Sequence, residues 1–336
     1  KSTTSWWTYW LWMARRGWFR SMILFTADWH IKLGQKNVPL PWACSRYELF
    51  FEEIRKIEKY AEMHIIGGDL FDRVPSMDEL TLYFDFIKDV SIPTYIFDGN
   101  HEATKKNKTF FSNLKRATQD VNDLVTIVDK TTEFEWGTIL PYCDLHKKGS
   151  IEKCNPEKYL FTHVRGEIQP HVTPEVDLDR FEPFPLVFAG DLHSHTNTQR
   201  NIIYPGSPMT TSFHRDIVKT GYLQILTPGY WEWHEFDLPQ LLRKTITSED
   251  EMTPTDYHHT IYEIEGDVAD LATVKNSELL DKKVVKRTTE ATLNLKNMSI
   301  DEELVEYLSA ILNLPNDKIK NIMAVFNDYS KNATMG

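Results

Sequence analysis

The chain has 336 residues, 41% hydrophobic and 26% charged, with a formal net charge of −11 and three cysteines. That is enough for one large domain with one or two small ones around a sizeable core, in the soluble globular class. The acidic balance excludes nucleic-acid binding by bulk field alone, so a local patch, bound metal ions or a basic partner would have to supply it. Cys44, Cys143 and Cys154, scattered and without a CxxC pair, argue against a disulfide framework and a zinc knuckle and fit a reducing compartment.

Residues 1–21 differ in composition from the rest of the chain, holding five of the ten tryptophans and four positive charges. Their short apolar run, followed by arginines and lacking a small-residue cleavage site, fits neither a signal peptide nor a bilayer span. The segment is read as a disordered extension or upstream reading frame before a start at Met22, in preference to an interfacial membrane helix, and no stable membrane association is expected. From Met22 onward strand, loop and helix alternate. ILFTA (23–27) is a predicted strand, RYELFFEEIRKIEKYAE (46–62) a helix with apolar positions three and four apart, and MHIIGG (63–68) a strand ending in glycines. SMDELTLYFDFIKDV (76–90) is a helix opened by a Ser76–Glu79 capping box. PTYIFDG (93–99) is the next strand and KTFFSNLKRA (108–117) a short helix. LVTIVDK, TEFEW, GTILPY, YLFTHV (159–164) and PLVFAGDLHSH (185–195) read as strands. NIIYPGSPMT and GYLQILTPGYWEWHEFDL read as hairpin strands, the second turning at Pro228–Gly229. The alternation predicts an α/β domain of packed sheets ending near Pro239. LLRKTITSEDEMTPTD (241–256) reads as a linker and YHHTIYEIEG (257–266) as the start of a small α+β module with a helix around DVADLATVKNSELL. Residues 299–332 read as two amphipathic helices broken at NLPND, the first capped by Ser299 or Asp301.

Metal-type ligands stand where these strands run into loops. Asp28 and His30 follow the first strand, Asp69 and Asp72 the second, and Asn100 and His101 the third. His163 ends another, and Asp191, His193 and His195 follow the last. Ligands of open α/β sheets gather at the carboxyl ends of strands, so these scattered residues are predicted to converge. Singly, each has an ordinary reading as a turn, a cap or a core histidine; five stations in sequence point to a site. Carboxylate, imidazole and one amide oxygen without thiolate suit manganese, iron or zinc. Two such ions can clamp a phosphate and supply hydroxide at neutral pH. Asp69 is the expected bridging carboxylate, Asn100 a neutral oxygen ligand, and His101 the residue beside the reacting phosphate.

The order DWH, GDLFD, GNHE, TH, GDLH resembles the calcineurin-like metallophosphoesterases. With IIYPGSPMTTSFHR after the last motif it looks specifically like the SbcD-type nuclease subunit of double-strand-break repair, and like the phage-encoded recombination nucleases of that group. The resemblance implies an α/β four-layer sandwich over 22–239, a small α+β capping domain with linker over 240–298, and a C-terminal helical pair, 299–336, that binds a partner. It places Asp28, His30, Asp69 and His193 on one metal and Asp69, Asn100, His163 and Asp191 on the other, with two divalent ions, most suitably Mn2+. His101 becomes the non-ligand histidine that protonates the leaving oxygen, and Asp72 takes the place of a second catalytic histidine found in some relatives. The last motif is usually Gly-His-any-His. Here either Asp191 replaces a histidine ligand, the preferred reading, or His193 and His195 are the pair.

The implied activity is hydrolysis of DNA phosphodiesters: manganese-dependent exonuclease action on duplex ends and endonuclease action on single strands or hairpins, in recombination, repair or replication. Lys105, Lys106 and Lys108 beside the site are candidate backbone contacts. The implied partners are DNA, a coiled-coil ATPase of the SMC type, which would dock on Leu304, Tyr307, Leu308, Ile311 and Leu312 and on Ile319, Ile322, Met323 and Phe326, and a second copy in a homodimer. The implied setting is cytoplasmic, that of the host bacterium for a phage protein. The competing readings are a phosphomonoesterase or cyclic-nucleotide phosphodiesterase of the same fold, and a mainly scaffolding DNA-binding subunit.

Overall fold

Strand β1 (Met22–Thr26) is apolar at four consecutive positions, and that sets the layers. Successive side chains of a strand point to opposite faces, so such a strand must be covered on both. Ile23 and Phe25 face one core and Leu24 another, all three buried. In this computed structural model, which describes residues 22–105, 108–226, 229–285, 298–312 and 314–333, β1 lies inside a six-stranded sheet. The expectations for residues 1–21, Lys106 and Pro228 lie outside the described residues.

In that sheet β2 (Met63–Gly67), β3 (Thr94–Phe97) and β6 (Val125–Val128) follow β1 in parallel, while β12 (Gly221–Leu226) and β13 (Tyr230–Glu235) add an antiparallel hairpin on its other side. Helices α1 (Leu40–Glu58), α2 (Met77–Lys88) and α3 (Phe111–Val121) cover one face, where Tyr47, Phe50, Phe51, Tyr83, Phe86 and Phe111 are buried against Leu24, Ile66, Ile96 and Ile127. The Ser76–Glu79 capping box forms as the sequence predicts.

The other face meets a second, five-stranded sheet in the order β11 (Ile202–Ile203), β10 (Val187–Gly190), β9 (Leu160–His163), β8 (Thr138–Leu140) and β7 (Thr132–Glu133). Phe25 lies 5.7 Å from Phe161 and 6.1 Å from Phe188 between ring centroids. The outer face of the second sheet is closed by α4 (Tyr142–Leu145), a 3₁₀ turn at Leu178–Phe181 and their loops, over Leu160, Val187 and Ile202. Helices, sheet, sheet and outer cover make a four-layer α/β sandwich.

Three local expectations change. NIIYPGSPMT does not form a hairpin: β11 pairs parallel to β10. Of KTFFSNLKRA, Lys108–Thr109 form β5, which pairs with β4 (Ala103–Lys105), and the helix begins at Phe111. The stretch read as a linker opens with β14 (Leu241–Ile246), parallel to β15 (His259–Gly266) in a three-stranded sheet with β16 (Leu280–Val285). Leu241, Leu242 and Ile246 are buried, while the charged Arg243 between them is paired to the neighbouring strands. Arg243 sits 3.1 Å from Asp281 and 3.5 Å from Glu263.

One compact unit runs to Ile264 and takes in Lys275–Lys282; a second comprises Glu265–Val274 and the chain from Lys283. In the second, α5 (Val268–Thr273) is followed by α6 (Ile300–Glu306), capped by Ser299 with Glu302, then a π turn at Tyr307–Ile311 and α7 (Asn316–Ala333). Among the described residues no helix is long and apolar enough to cross a membrane.

Phe161 is fully buried; it contacts Phe25 across the two sheets, and Phe188 and Trp136 on its own side. Phe161→Ala is expected to lower the unfolding free energy by about 3–5 kcal/mol in urea titrations. A loss below about 1 kcal/mol would show that the inter-sheet core is not one continuous packing unit.

Candidate metal centre

The site begins in backbone geometry. The loop after β1 runs alongside the loop after β2: Asp28 N donates to Gly68 O at 3.0 Å, His30 N to Asp69 O at 2.9 Å and Ile31 N to Leu70 O at 2.8 Å. To turn their side chains out of this ladder, Asp28 (φ 57°), His30 (46°), Asp69 (49°) and Asp191 (102°) adopt left-handed backbone. Non-glycine residues there are strained, and such strain collects at functional sites. Gly68, at φ 85°, and Gly99 cannot be replaced: an added Cβ would lie 2.5 Å from His163 Nδ1 at the first and 2.2 Å from Asp69 Oδ1 at the second.

The side chains converge. His30 Nε2 lies 3.1 Å from His193 Nε2 and 3.6 Å from Asp69 Oδ2. His163 Nε2 lies 3.0 Å from Asn100 Oδ1, 3.4 Å from Asp69 Oδ2 and 3.9 Å from Asp191 Oδ1. Asp191 N donates to Asp28 Oδ1 at 3.1 Å. Three groups have ligand atoms within 4.8 Å of one another: Asp28, His30 and His193; His30, Asp69 and His101; Asp28, Asp69 and His163. Asp28, His30 and Asp69 each belong to two of them.

The geometry agrees with comparison to known proteins. The model of the calcineurin-like phosphoesterase family matches residues 21–186. A protein of Escherichia phage T5 named "Probable exonuclease subunit 1" is 40% identical over 333 residues, covering 92% of this chain and 98% of its own. The chain belongs to the calcineurin-like phosphoesterases. A protein of Invertebrate iridescent virus 6 named "Putative phosphoesterase 244L" is 24% identical over 57% of this chain and 71% of its own. A crystal structure of a Thermus thermophilus protein aligns over 65% of this chain and 99% of its own at 12% identity, with a TM-score of 0.41. The phosphoesterase is thus a hydrolase of phosphoester bonds, in a family that works with divalent metal ions.

Its residues fit such ions. Burial, with repulsion from Asp69 and Asp191, pushes the Asp28 carboxyl well above its ordinary range. Asp69 is buried too, yet the nearby His163 holds its carboxyl below the usual range. His163 in turn is raised well above an ordinary imidazole, Asp69 and Asp28 outweighing its burial. Burial and the neighbouring His30 lower His193 to about 4, leaving it neutral. His163 Nδ1–H donates to Gly67 O at 2.9 Å, which turns Nε2 to the cluster in the way an imidazole ligand needs. Crowded carboxylates beside the neutral His193 and the amide oxygen of Asn100 form a cation-binding donor set.

The other predicted residues of the phosphoesterase lie around this cluster or away from it. His101 is exposed at the rim; its Nδ1 lies 2.6 Å from Asp72 O, its Nε2 is 3.9 Å from Asp69 Oδ2, and its backbone N–H donates to Asp69 Oδ1. Asp72 lies 3.7 Å from His30 Nδ1 and 2.7 Å from Lys32 Nζ, contacts that hold it below the usual carboxylate range. His195 faces elsewhere: its Nδ1 is 2.7 Å from Tyr204 O, and its ring stacks on Trp233 at 5.1 Å. Lys105 lies on β4, and Lys108 is exposed on β5.

Two neighbours of the ligand set were given no role by the sequence reading. Glu102 is fully buried and accepts three backbone N–H groups, from Asp69 (3.0 Å), Gly99 (2.8 Å) and Phe71 (2.9 Å), so it ties the second loop to the third. Burial and the charge of Asp69 push its carboxyl up to about 8. Arg165 reaches Asp191 with Nε at 3.3 Å and Nη2 at 3.4 Å. The signal for each was position alone: Glu102 directly follows Asn100–His101, and Arg165 stands two residues after His163.

Glu102→Ala would strand three buried donors. It is expected to destabilise the fold by at least about 2 kcal/mol in denaturant titration and to weaken Mn2+ binding ~10–100-fold by calorimetry. Glu102→Gln, which keeps one acceptor oxygen, should fall between. Unchanged stability and affinity in the alanine variant would remove Glu102 from the support of the site.

Proposed function

We propose that this phosphoesterase is a metal-dependent DNA nuclease, acting on duplex ends and on single strands or hairpins in recombination, repair or replication. The carrying observation is the convergence of Asp28, His30, Asp69, Asn100, His163, Asp191 and His193 in a chain that matches nearly the whole of a phage protein named as an exonuclease subunit. The reading assigns those seven as ligands of two divalent ions, Mn2+ best suiting the mixed oxygen and nitrogen donors. His195, engaged by Tyr204 and Trp233, is left to packing, which favours Asp191 as the ligand. When bound, the ions would supply positive charge for the phosphoryl oxygens and acidify a water at neutral pH.

The chain's own residues do the rest. Asp69, held from Glu102 through its backbone, presents one carboxylate to both halves of the cluster. His101, the exposed imidazole, has Nδ1 against the Asp72 carbonyl and Nε2 toward the cluster, so a proton on Nε2 can pass to the departing sugar oxygen. Asp72 takes the place of a second catalytic histidine in this reading: its backbone carbonyl holds His101 Nδ1, and its carboxylate, kept ionised beside Lys32 and His30, faces His30 of the cluster. Lys105, Lys106 and Lys108 are assigned to backbone phosphates, the local patch that an acidic chain needs.

The word "subunit" in the relative's name supports a multi-chain enzyme. The C-terminal helices support a docking face for an SMC-type coiled-coil ATPase: Tyr307, Ile311, Leu312 and Ile322 are exposed, while Leu308 and Ile319 are buried. A homodimer and a cytoplasmic setting rest on the family resemblance alone.

The test is digestion of linear duplex and hairpin DNA in Mn2+ and in Mg2+, with p-nitrophenyl phosphate alongside. DNA cleavage in Mn2+ that stops with EDTA is expected, and His101→Ala should cut turnover by ~10²–10⁴ while still binding Mn2+. Hydrolysis of p-nitrophenyl phosphate with no attack on DNA would turn the reading to a phosphomonoesterase. Full DNA digestion by His101→Ala would remove the acid role.

A further inference from the structure

A polar chain runs through the apolar layer between the six-stranded sheet and its helices. The indole Nε1–H of Trp29 donates to Thr26 Oγ1 at 2.9 Å, the Thr26 hydroxyl donates to His64 Nε2 at 2.9 Å, and His64 Nδ1–H donates to Glu58 Oε1 at 2.8 Å. Every donor in the chain has an acceptor, and all four residues are at most 2% exposed. Nothing in packing alone calls for it. Glu58 is the last residue of α1, where the helix dipole disfavours a carboxylate, and a buried charge is costly unless paired. Four apolar side chains would fill the same space.

What the chain reaches explains its presence. Trp29 stands between Asp28 and His30, the two left-handed residues of the first loop. Phe50 and Phe86 meet the indole edge-on at 4.8 and 5.0 Å, and the hydrogen bond from Nε1 fixes its remaining freedom. The carbonyls on either side are held as well, that of Asp28 by Ser207 Oγ at 2.6 Å and that of His30 by Tyr47 OH at 2.8 Å. With Trp29 locked inward, Asp28 and His30 are locked outward toward the cluster. We infer that Glu58, His64 and Thr26 are positioning residues for the Asp28–Trp29–His30 turn, acting on the metal centre through Trp29. The consequence for metal binding rests on the ligand assignment proposed above; the positioning of the turn does not.

The experiment uses the full chain, labelled with ¹⁵N-tryptophan, the Trp29 indole resonance being assigned with Trp29→Phe. His64→Leu and Thr26→Val are each expected to speed hydrogen exchange at the Trp29 indole at least ~10-fold and to weaken Mn2+ binding by ~10–100-fold, as loss of outer partners of metal ligands does. Thr26→Val and His64→Leu combined should do no more than either alone, because the residues act as one chain. His64→Gln, whose amide can donate to Glu58 and accept from Thr26, should restore most of both. Glu58→Leu combined with His64→Leu should keep the parent melting temperature, since apolar groups often replace a buried pair without loss, yet still show the faster exchange and weaker Mn2+ binding. Unchanged indole exchange in both His64→Leu and Thr26→Val overturns the inference, as does a Mn2+ affinity that stays at the parent value in these variants while Asp28→Asn abolishes it. Unchanged Mn2+ binding in Asp28→Asn would instead sink the ligand assignment, and indole exchange alone would then decide the positioning role.

Discussion

Carboxylates that repel one another are held around one buried imidazole, and the rest of the structure follows from holding them. Asp28, Asp69 and His163 have ligand atoms within 4.8 Å of one another, and Asp191 approaches the same imidazole at 3.9 Å. Left alone, such groups would separate or take up protons; the raised Asp28 carboxyl and the raised His163 imidazole are the form that stress takes. Keeping them together needs a frame that does not relax. Two sheets packed face to face through Phe25, Phe161 and Phe188 supply it, because their strands end at one edge and the His163–Gly67 hydrogen bond ties the end of β9 to the end of β2. A cation relieves the repulsion, so the same crowding that costs stability generates affinity.

How much of this is legible in the sequence depends on whether a signal is local. Strand β1, helix α2 with its capping box and the ligand-type residues at the strand ends are written within short windows, and each was readable. Their convergence was inferred from a shared place at the ends of strands in an α/β fold, and the strands concerned run parallel: β1, β2 and β3 in one sheet, β9 and β10 in the other. Strand β14 was missed because its polar residues look solvent-directed; Arg243 is balanced by Glu263 and Asp281, which lie twenty and thirty-eight positions on. Glu102 was missed for a related reason. Its partners are backbone N–H groups, two from the loop after β2 and one from its own loop, and a backbone donor leaves no mark in the sequence.

The first loop shows the two kinds of information working together. Asp28 and His30 stand out as ligand types, but Trp29 between them reads as a bulky apolar residue of no special use. Its indole is the end of a buried polar chain whose members are thirty-eight and six positions apart, Thr26 to His64 and His64 to Glu58. Sequence reveals what a loop presents; only the packed layer behind it reveals what fixes the presentation.

Asp191 carries the same point into the charge of the site. The Asp191 carboxylate adds a negative charge to a cluster already crowded with carboxylates. The structure sets the Arg165 guanidinium against it, both nitrogens facing both oxygens, from a residue two places past His163. Arg165 is partly open to solvent, so screening weakens the pair. In this chain the Arg165 guanidinium therefore offsets part of the charge that Asp191 brings to the cluster.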